Sequence, residues 1–299
     1  MLIAGPTASG KSAAALALAE ALNGIVINAD SMQVYREVRI LSARPSQADE
    51  KRAPHLLYGH AGAAERYSVG RYQIEAAAAL AEARAQQRLP IFTGGTGLYF
   101  AALTEGLADI PAIPADLRAK ARERLHALGV SGLHAELAAR DPQTASQLRP
   151  SDPQRVLRAW EVLEATGRPL SDWQSRAGTP VLEGLKLACF VLDVPRYELR
   201  VRIAERFRQM MAAGARAEAA RLADLDPTLP AGKILGLREL LALEAGTMSE
   251  ADAVTAAVTA TRQFAKRQVT WFRHRMADWH WVEVDDIGNF VSLVRQVHS

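Results

Sequence analysis

A single cysteine, Cys189, leaves this 299-residue chain without a partner for an internal disulfide and without the thiolates of a Cys-cluster metal site. The thiol stands inside the apolar run Leu185–Val194 and reads as a buried, inert group. Apolar runs are short as well. None approaches the ~20 residues that span a bilayer, so no membrane segment is expected. The chain opens directly on a strand-like apolar run, which leaves no room for a signal peptide and points to the cytosol. Charge of one sign is scarce: 36 Lys and Arg against 33 Asp and Glu leave a net +3. That sum is too small to argue for nucleic acid, although a pI near 9.1 permits it. Internal repeats and low-complexity linkers are missing. The rest is ordinary for a globular protein, with 49% hydrophobic and 23% charged residues. The length allows one large domain or a core with an inserted subdomain.

What is present begins at the first residue. Met1-Leu2-Ile3-Ala4 is apolar, and Gly5-Pro6-Thr7-Ala8-Ser9-Gly10-Lys11-Ser12 follows at once, matching the P-loop pattern G-x-x-x-x-G-K-[ST] at every specified position. Two glycines let the backbone curl until successive N–H groups face phosphate oxygens. Lys11 adds a point charge, and Ser12 offers a hydroxyl to a magnesium ion. Ala13–Leu22 then reads as a helix whose positive end faces the bound anion. A diphosphate or longer phosphate chain is the expected ligand.

Further along, Gly24–Asp30 reads as a buried strand ending in a carboxylate, at the edge where parallel sheets bind ligands. Spacing alone leaves Asp30 open as a magnesium ligand, a general base or the polar end of a strand. Residues 42–66 are irregular, Tyr72–Arg88 is an alanine-rich helix, and Leu89–Thr93 is a third strand. It runs into Gly94-Gly95-Thr96-Gly97, either a close approach of backbone to a ligand with a hydroxyl on offer or an ordinary tight turn. Strands separated by helices of this length indicate parallel β-α-β units. Ile110-Pro111-Ala112-Ile113-Pro114 looks like a hinge. Beyond it Asp116–Leu128, Gly132–Ala139 and Asp152–Ala165 read as amphipathic helices, with Ser151 as N-cap of the last. Leu185–Val194 returns to a buried strand. Arg196–Leu222 is one long helix, Lys233–Glu239 begins another, Ala253–Arg275 is a further helix, and Trp279–Val284 is a short strand. The expected fold is α/β: a P-loop NTPase-like parallel sheet with helices on both faces and an inserted all-helical subdomain. The boundaries fall at 1–112, 113–179 and 180–299. No acidic residue occurs from Arg262 to Met276, where Lys266, Arg267 and Arg273 cluster with Trp271 and Phe272. This is either a phosphate-tracking, base-stacking surface or a solvated face over core aromatics.

Together these segments resemble the tRNA dimethylallyltransferases (tRNA isopentenyltransferases). The resemblance rests on the P-loop octet, Asp30-Ser31-Met32-Gln33-Val34-Tyr35, Gly94-Gly95-Thr96-Gly97-Leu98-Tyr99, Asp152-Pro153-Gln154-Arg155, and Ala260–Gln268 with Trp271. It spans nearly the whole chain. Two departures are visible. Gly236-Leu237-Arg238 replaces the family's Gly-Tyr-Arg, and Pro54-His55-Leu56 carries one histidine where the family has a pair. No zinc-finger extension of the eukaryotic kind is seen, which suggests a bacterial-type member.

The resemblance implies transfer of a dimethylallyl group from dimethylallyl diphosphate to the exocyclic amine of the adenosine 3′ of the anticodon. It implies Lys11, Asp30 and Thr96 as catalytic, with residues 5–12 (Gly5, Pro6, Thr7, Ala8, Ser9, Gly10, Lys11, Ser12) on the diphosphate; an arginine of the 196–222 helix, with Arg206 the candidate, is expected to complete the clamp. Magnesium would sit at Ser12. Expected tRNA contacts are Asp30, Ser31, Met32 and Gln33; Gln154, Arg155, Val156, Leu157 and Arg158; Lys233, Gly236 and Arg238; and Lys266, Arg267, Gln268, Trp271 and Arg273. A monomer with no membrane partner is expected. A P-loop nucleotide or metabolite kinase, binding ATP, is the alternative.

Overall fold

The short apolar runs become the strands of one parallel sheet. In the computed structural model, which describes residues 1–176, 178–283 and 287–298, the first part of the chain alternates strand and helix. It comprises β1 (Leu2–Ala4), α1 (Lys11–Ala21), β2 (Gly24–Asn28), α2 (Gln47–Arg52), β3 (His55–Leu56), α3 (Val69–Ala85), β4 (Leu89–Gly94) and α4 (Gly97–Thr104). Four helices follow: α5 (Ala115–Arg140), α6 (Pro142–Gln147), α7 (Pro153–Thr166) and α8 (Leu170–Gln174). The chain then returns to β5 (Cys189–Asp193), α9 (Arg196–Ala212), α10 (Ala215–Ala220), α11 (Leu237–Glu244), α12 (Glu250–Arg275), β6 (His280–Glu283) and α13 (Ile287–His298). The described residues divide into two compact units, 1–103 with 184–299, and 104–183.

The first unit holds the sheet, in the order β3-β2-β4-β1-β5-β6 with every pair parallel. Strand alternation divides its apolar residues between two faces. Ile3, Val26, Ile91, Phe190 and Leu192 pack with α1 residues Ala14, Ala15 and Leu18 and with Phe290 and Val294 of α13. Leu2, Ile25 and Phe92, next in register, are buried on the other face. The order has one consequence for function. β2, β4 and β1 are neighbours, so the loops leaving their carboxyl ends (Ala29 onward, Gly95 onward and Gly5 onward) are neighbours too.

The regular structure among the described residues of the second unit is all helix. Leu137, Ala145, Ala159, Val162 and Leu163 form one cluster, and Ala121, Leu133, Val156 and Trp160 another. Trp160 donates its indole N–H to Glu136 at 3.0 Å. α5 bends at Gly129, whose φ is 67°.

Several local expectations shift. Asp152, not Ser151, caps α7: its side chain accepts the Arg155 N–H at 3.1 Å, and Pro153 occupies the first turn. Arg196–Leu222 is two helices, because Gly214 (φ 98°) turns the chain before α10. The irregular stretch 42–66 contains α2, closed by a Ser46–Asp49 capping box, and the two-residue β3, too short to show periodicity. β2 ends at Asn28 and β5 spans only Cys189–Asp193, shorter than the apolar runs that mark them. α13 has no counterpart among the segments expected from the sequence. Val284, the last residue of the expected final strand, lies outside the described residues. No described helix is long and apolar enough to cross a membrane.

Candidate active site

The loop between β1 and α1 is tight for a local reason. Ala8 and Gly10 both take left-handed backbone angles (φ 65° and 91°), and the Ser9 N–H returns to the Pro6 carbonyl at 3.2 Å. Lys11 opens α1 almost wholly buried, with Nζ donating to the Pro6 carbonyl at 3.3 Å. Burial pulls its pKa down to about 8; the Asp30 carboxylate opposes that shift, and the Arg206 guanidinium adds to it. Three charges from α9, the P-loop and the end of β2 therefore act on one another.

Asp30 is held by its own chain. Asn28 Oδ1 accepts the Asp30 N–H at 2.8 Å, and Asn28 Nδ2 donates to the Asp30 carbonyl at 2.9 Å and to the Leu57 carbonyl at 3.0 Å. Asp30 Oδ1 accepts the Met32 N–H at 3.0 Å, an Asx turn. That leaves Oδ2 free of any hydrogen bond among the described residues. Two tyrosines feel this carboxylate: the hydroxyls of Tyr58 and Tyr99 are pushed well up, first by burial and then by the Asp30 charge.

The loop after β4 comes very close to Asp30. A Cβ on Gly94 would stand 2.0 Å from the Ala29 carbonyl oxygen, so only glycine fits. Thr96 donates its N–H to that same carbonyl at 3.2 Å, while its Oγ1 accepts the Ser31 N–H at 2.9 Å. Trp271 packs on Gly97, where a Cβ would meet its ring at 2.3 Å. Phe272 beside it is buried core, and Trp271 is partly buried. Gln268 crosses between loops, accepting the Thr7 N–H at 2.9 Å and donating to the Gly95 carbonyl at 2.8 Å.

Arg206 has no hydrogen-bond or ion-pair partner among the described residues. Burial lowers its pKa and the Asp30 charge opposes that. It lines a cavity of about 40 Å³ with Thr7, Leu41 and Thr261. Glu218 steadies this wall. Its carboxylate is 2% exposed and accepts the N–H groups of Arg39, Ile40 and Leu41 at 2.8–2.9 Å. Glu218 and Asn28 are not among the residues that the sequence motifs mark. The Asn-x-Asp spacing was a usable signal for Asn28, whereas nothing local marks Glu218.

The remaining expected residues divide by burial. Gln154, Arg155, Lys233, Arg238, Lys266, Arg267 and Arg273 are exposed; Ser31, Met32, Leu157 and Arg158 are partly buried. Gln33, Val156, Gly236 and Gln268 are buried. Gln33 spends its amide nitrogen on the Ser42 and Ala43 carbonyls. Leu237, in the place of the family's tyrosine, is 2% exposed. Lys266 and Arg273 face a groove of about 740 Å³ along α9 and α12, together with Arg196, Arg200 and Arg262. None of these five cations has an ion-pair partner among the described residues. Cys189 is half-buried, and burial pushes its thiol up to about 11, so it is unreactive at neutral pH.

A cationic cradle on a P-loop, beside a lone carboxylate with one free oxygen, suits the departure of a phosphate group and the removal of a proton nearby. Similarity to known proteins points the same way. The IPP transferase family matches residues 33–275, and an isopentenyl transferase family matches residues 1–56. A tRNA dimethylallyltransferase of Azorhizobium caulinodans is 56% identical over 283 residues, covering 93% of this chain and 90% of that protein. One from Methylocella silvestris is 54% identical over 285 residues, covering 95% and 94%. Among solved structures, the tRNA isopentenylpyrophosphate transferase of Bacillus halodurans superposes with a TM-score of 0.68 at 32% identity, covering 99% of this chain and 95% of that one. A eukaryotic dimethylallyltransferase acting on tRNA gives a TM-score of 0.81 at 26% identity, covering 99% and 76%.

Proposed function

The chain belongs to the IPP transferase family, and on that premise we propose that it moves a dimethylallyl group from dimethylallyl diphosphate to tRNA, on the exocyclic amine of the adenosine 3′ of the anticodon. Diphosphate is the other product. The observation that carries this reading is the gathering of Lys11, Arg206 and Asp30 around one loop, with Lys11 bonded to the Pro6 carbonyl, Arg206 sharing a cavity with Thr7 and Asp30 beside Gly95: two cations for a leaving anion and one base for a nucleophile.

In the reaction the allylic C–O bond breaks, an N–C bond forms, and the amine loses a proton. Breaking the C–O bond gathers negative charge on the diphosphate. Lys11, itself almost wholly buried, Arg206 and the N–H groups of the P-loop are pre-set to meet that charge. An aromatic amine is a poor acid, so its proton leaves as nitrogen attacks carbon. Asp30 Oδ2 is the acceptor, with Oδ1 tethered to the Met32 N–H and the carboxylate thereby oriented. The adenine must leave its stack to reach this position.

Magnesium fits the site through Ser12. That residue is exposed at the start of α1, and no cluster of three or more His, Cys, Asp or Glu exists among the described residues to form a dedicated cage. Magnesium favours such an arrangement, with one or two protein oxygens beside phosphate and water. When bound it would neutralise charge on the diphosphate. Arg155, Arg158, Lys233, Arg238, Lys266 and Arg273 are proposed to hold tRNA phosphates, and a cytoplasmic monomer suffices for the reaction.

The test is to incubate the protein with dimethylallyl diphosphate, magnesium and unmodified tRNA, digest to nucleosides and weigh them. A prenylated adenosine is expected. Its absence, with phosphoryl transfer from ATP to a small acceptor, would replace this reading with a kinase.

A further inference from the structure

Between Arg262 and Arg275 the polar residues of α12 are exposed or partly buried, with one exception. Gln268 is 6% exposed. Its amide is bonded at both ends to backbone, Oε1 to the Thr7 N–H at 2.9 Å and Nε2 to the Gly95 carbonyl at 2.8 Å. Thr7 belongs to the loop after β1 and Gly95 to the loop after β4. Closing that gap needs an acceptor and a donor on one carbon. A carboxylate supplies acceptors only, and an apolar side chain supplies neither. Gly95 lacks a side chain where the strut needs room: a Cβ there would stand 2.3 Å from Gln268 Nε2 and 3.2 Å from Asp30 Oδ2. The strut, the Gly-rich loop and the carboxylate thus share one small volume.

We propose that Gln268 is a positioning residue for the transfer reaction, its amide fixing the separation of the P-loop and the Gly95–Thr96 loop so that Lys11, Asp30 and Thr96 address one pair of substrates. The role rests on the prenyl-transfer reading of this site. It sets Gln268 apart from the basic residues around it on α12, with which the family resemblance groups it as a tRNA contact. Without the amide, a buried N–H and a buried carbonyl lose their partners, and the loops must shift to find others. A displacement of about an ångström beside the reacting atoms can cost on the order of 100-fold in rate.

Two variants test this. Gln268→Met keeps the bulk and loses both hydrogen bonds. It should lower the single-turnover rate at saturating substrates by about 10- to 100-fold and weaken binding of inorganic diphosphate, with tRNA affinity and its salt dependence unchanged. A wild-type rate at saturation with weakened tRNA binding would make Gln268 an RNA contact and overturn the proposal. Gln268→Glu keeps an acceptor for Thr7 and regains a donor to Gly95 only when protonated. Buried near Asp30, that carboxyl should titrate high. The ratio of the Glu variant's rate to that of wild type should therefore rise as pH falls from about 8 to about 6. A flat ratio would overturn the proposal even if the Met variant failed to fold. Should the wild-type protein make no prenylated nucleoside, the transfer reading falls. Diphosphate binding by wild type and Gln268→Met would still decide the strut, equal affinities overturning it.

Discussion

Thr96 Oγ1 accepts the backbone N–H of Ser31 at 2.9 Å and lies 3.2 Å from the Ser31 hydroxyl, so the β4 loop is tied to the residue that follows Asp30. The family resemblance gives this hydroxyl to the diphosphate. The geometry gives it a second task, holding the chain that carries Asp30, the proposed base.

Thr96→Ala should therefore slow transfer by roughly 10-fold or more, since the Ser31 N–H is left without its acceptor. Thr96→Ser keeps the oxygen and should stay within a few-fold of wild type. Equal single-turnover rates in the two variants would reduce Gly94–Gly97 to an ordinary turn.

Lys11 gives the pH dependence a definite sign. In the free protein its pKa is lowered to about 8, first by burial. Diphosphate needs the ammonium form, so kcat/KM for the donor should fall as pH rises through about 8. Stability should move the opposite way. The unfolded chain keeps this proton up to about 10.5, so between about 8 and 10.5 unfolding takes up a proton and the free fold gains stability as pH rises. Lys11→Ala should remove both effects; a donor profile still breaking near pH 8 in that variant would assign the break to another group.

Arg206 predicts a trade of stability for function. It is a partly buried cation without a partner among the described residues, held there against its solvation. Arg206→Ala should leave Tm unchanged or raise it, while raising the KM for dimethylallyl diphosphate about 10- to 100-fold, the worth of one charge-assisted contact. A fall in Tm with an unmoved KM would make it a structural arginine.

Much of this site was legible in the sequence because its chemistry is local. The P-loop octet, the carboxylate two residues past β2 and the Gly94–Gly97 turn are contiguous motifs at strand ends. What escaped is long-range. Gln268 lies 261 residues from Thr7 and 173 from Gly95, and in sequence it looks like one more polar residue in a basic run. Glu218 caps a loop 177–179 residues away, and no spacing rule reaches that far. Helix breaks were missed for a different reason. Gly214 inside Arg196–Leu222 costs little in an amphipathic pattern, yet its φ of 98° ends α9. The all-parallel sheet followed from alternation of strand and helix, but its order, which makes β2, β4 and β1 neighbours, did not.

The basic surfaces carry a salt-dependence prediction. Arg155 is 75% exposed at its side chain, weakly paired with Asp152 at 3.5 Å, and Arg273 stands in the α9–α12 groove. Each releases counterions if it grips a phosphate, so Arg155→Ala and Arg273→Ala should each flatten the salt dependence of tRNA binding by roughly one contact. Cognate and non-cognate tRNAs should lose affinity alike, because phosphate contacts position without specifying. Unchanged slopes in both variants, with the fold intact, would place the tRNA elsewhere.

The central claim is that Asp30 takes the amine proton while the P-loop holds the diphosphate, and single-turnover transfer by Asp30→Asn tests it most directly. Asparagine keeps the shape and the Met32 N–H bond but cannot accept the proton. The account predicts a rate lowered about 10²–10⁴-fold, with affinities for dimethylallyl diphosphate and tRNA close to wild type. A near wild-type rate would contradict it, and so would a loss confined to diphosphate or magnesium binding, which would make Asp30 part of the anion site and leave the base to another group.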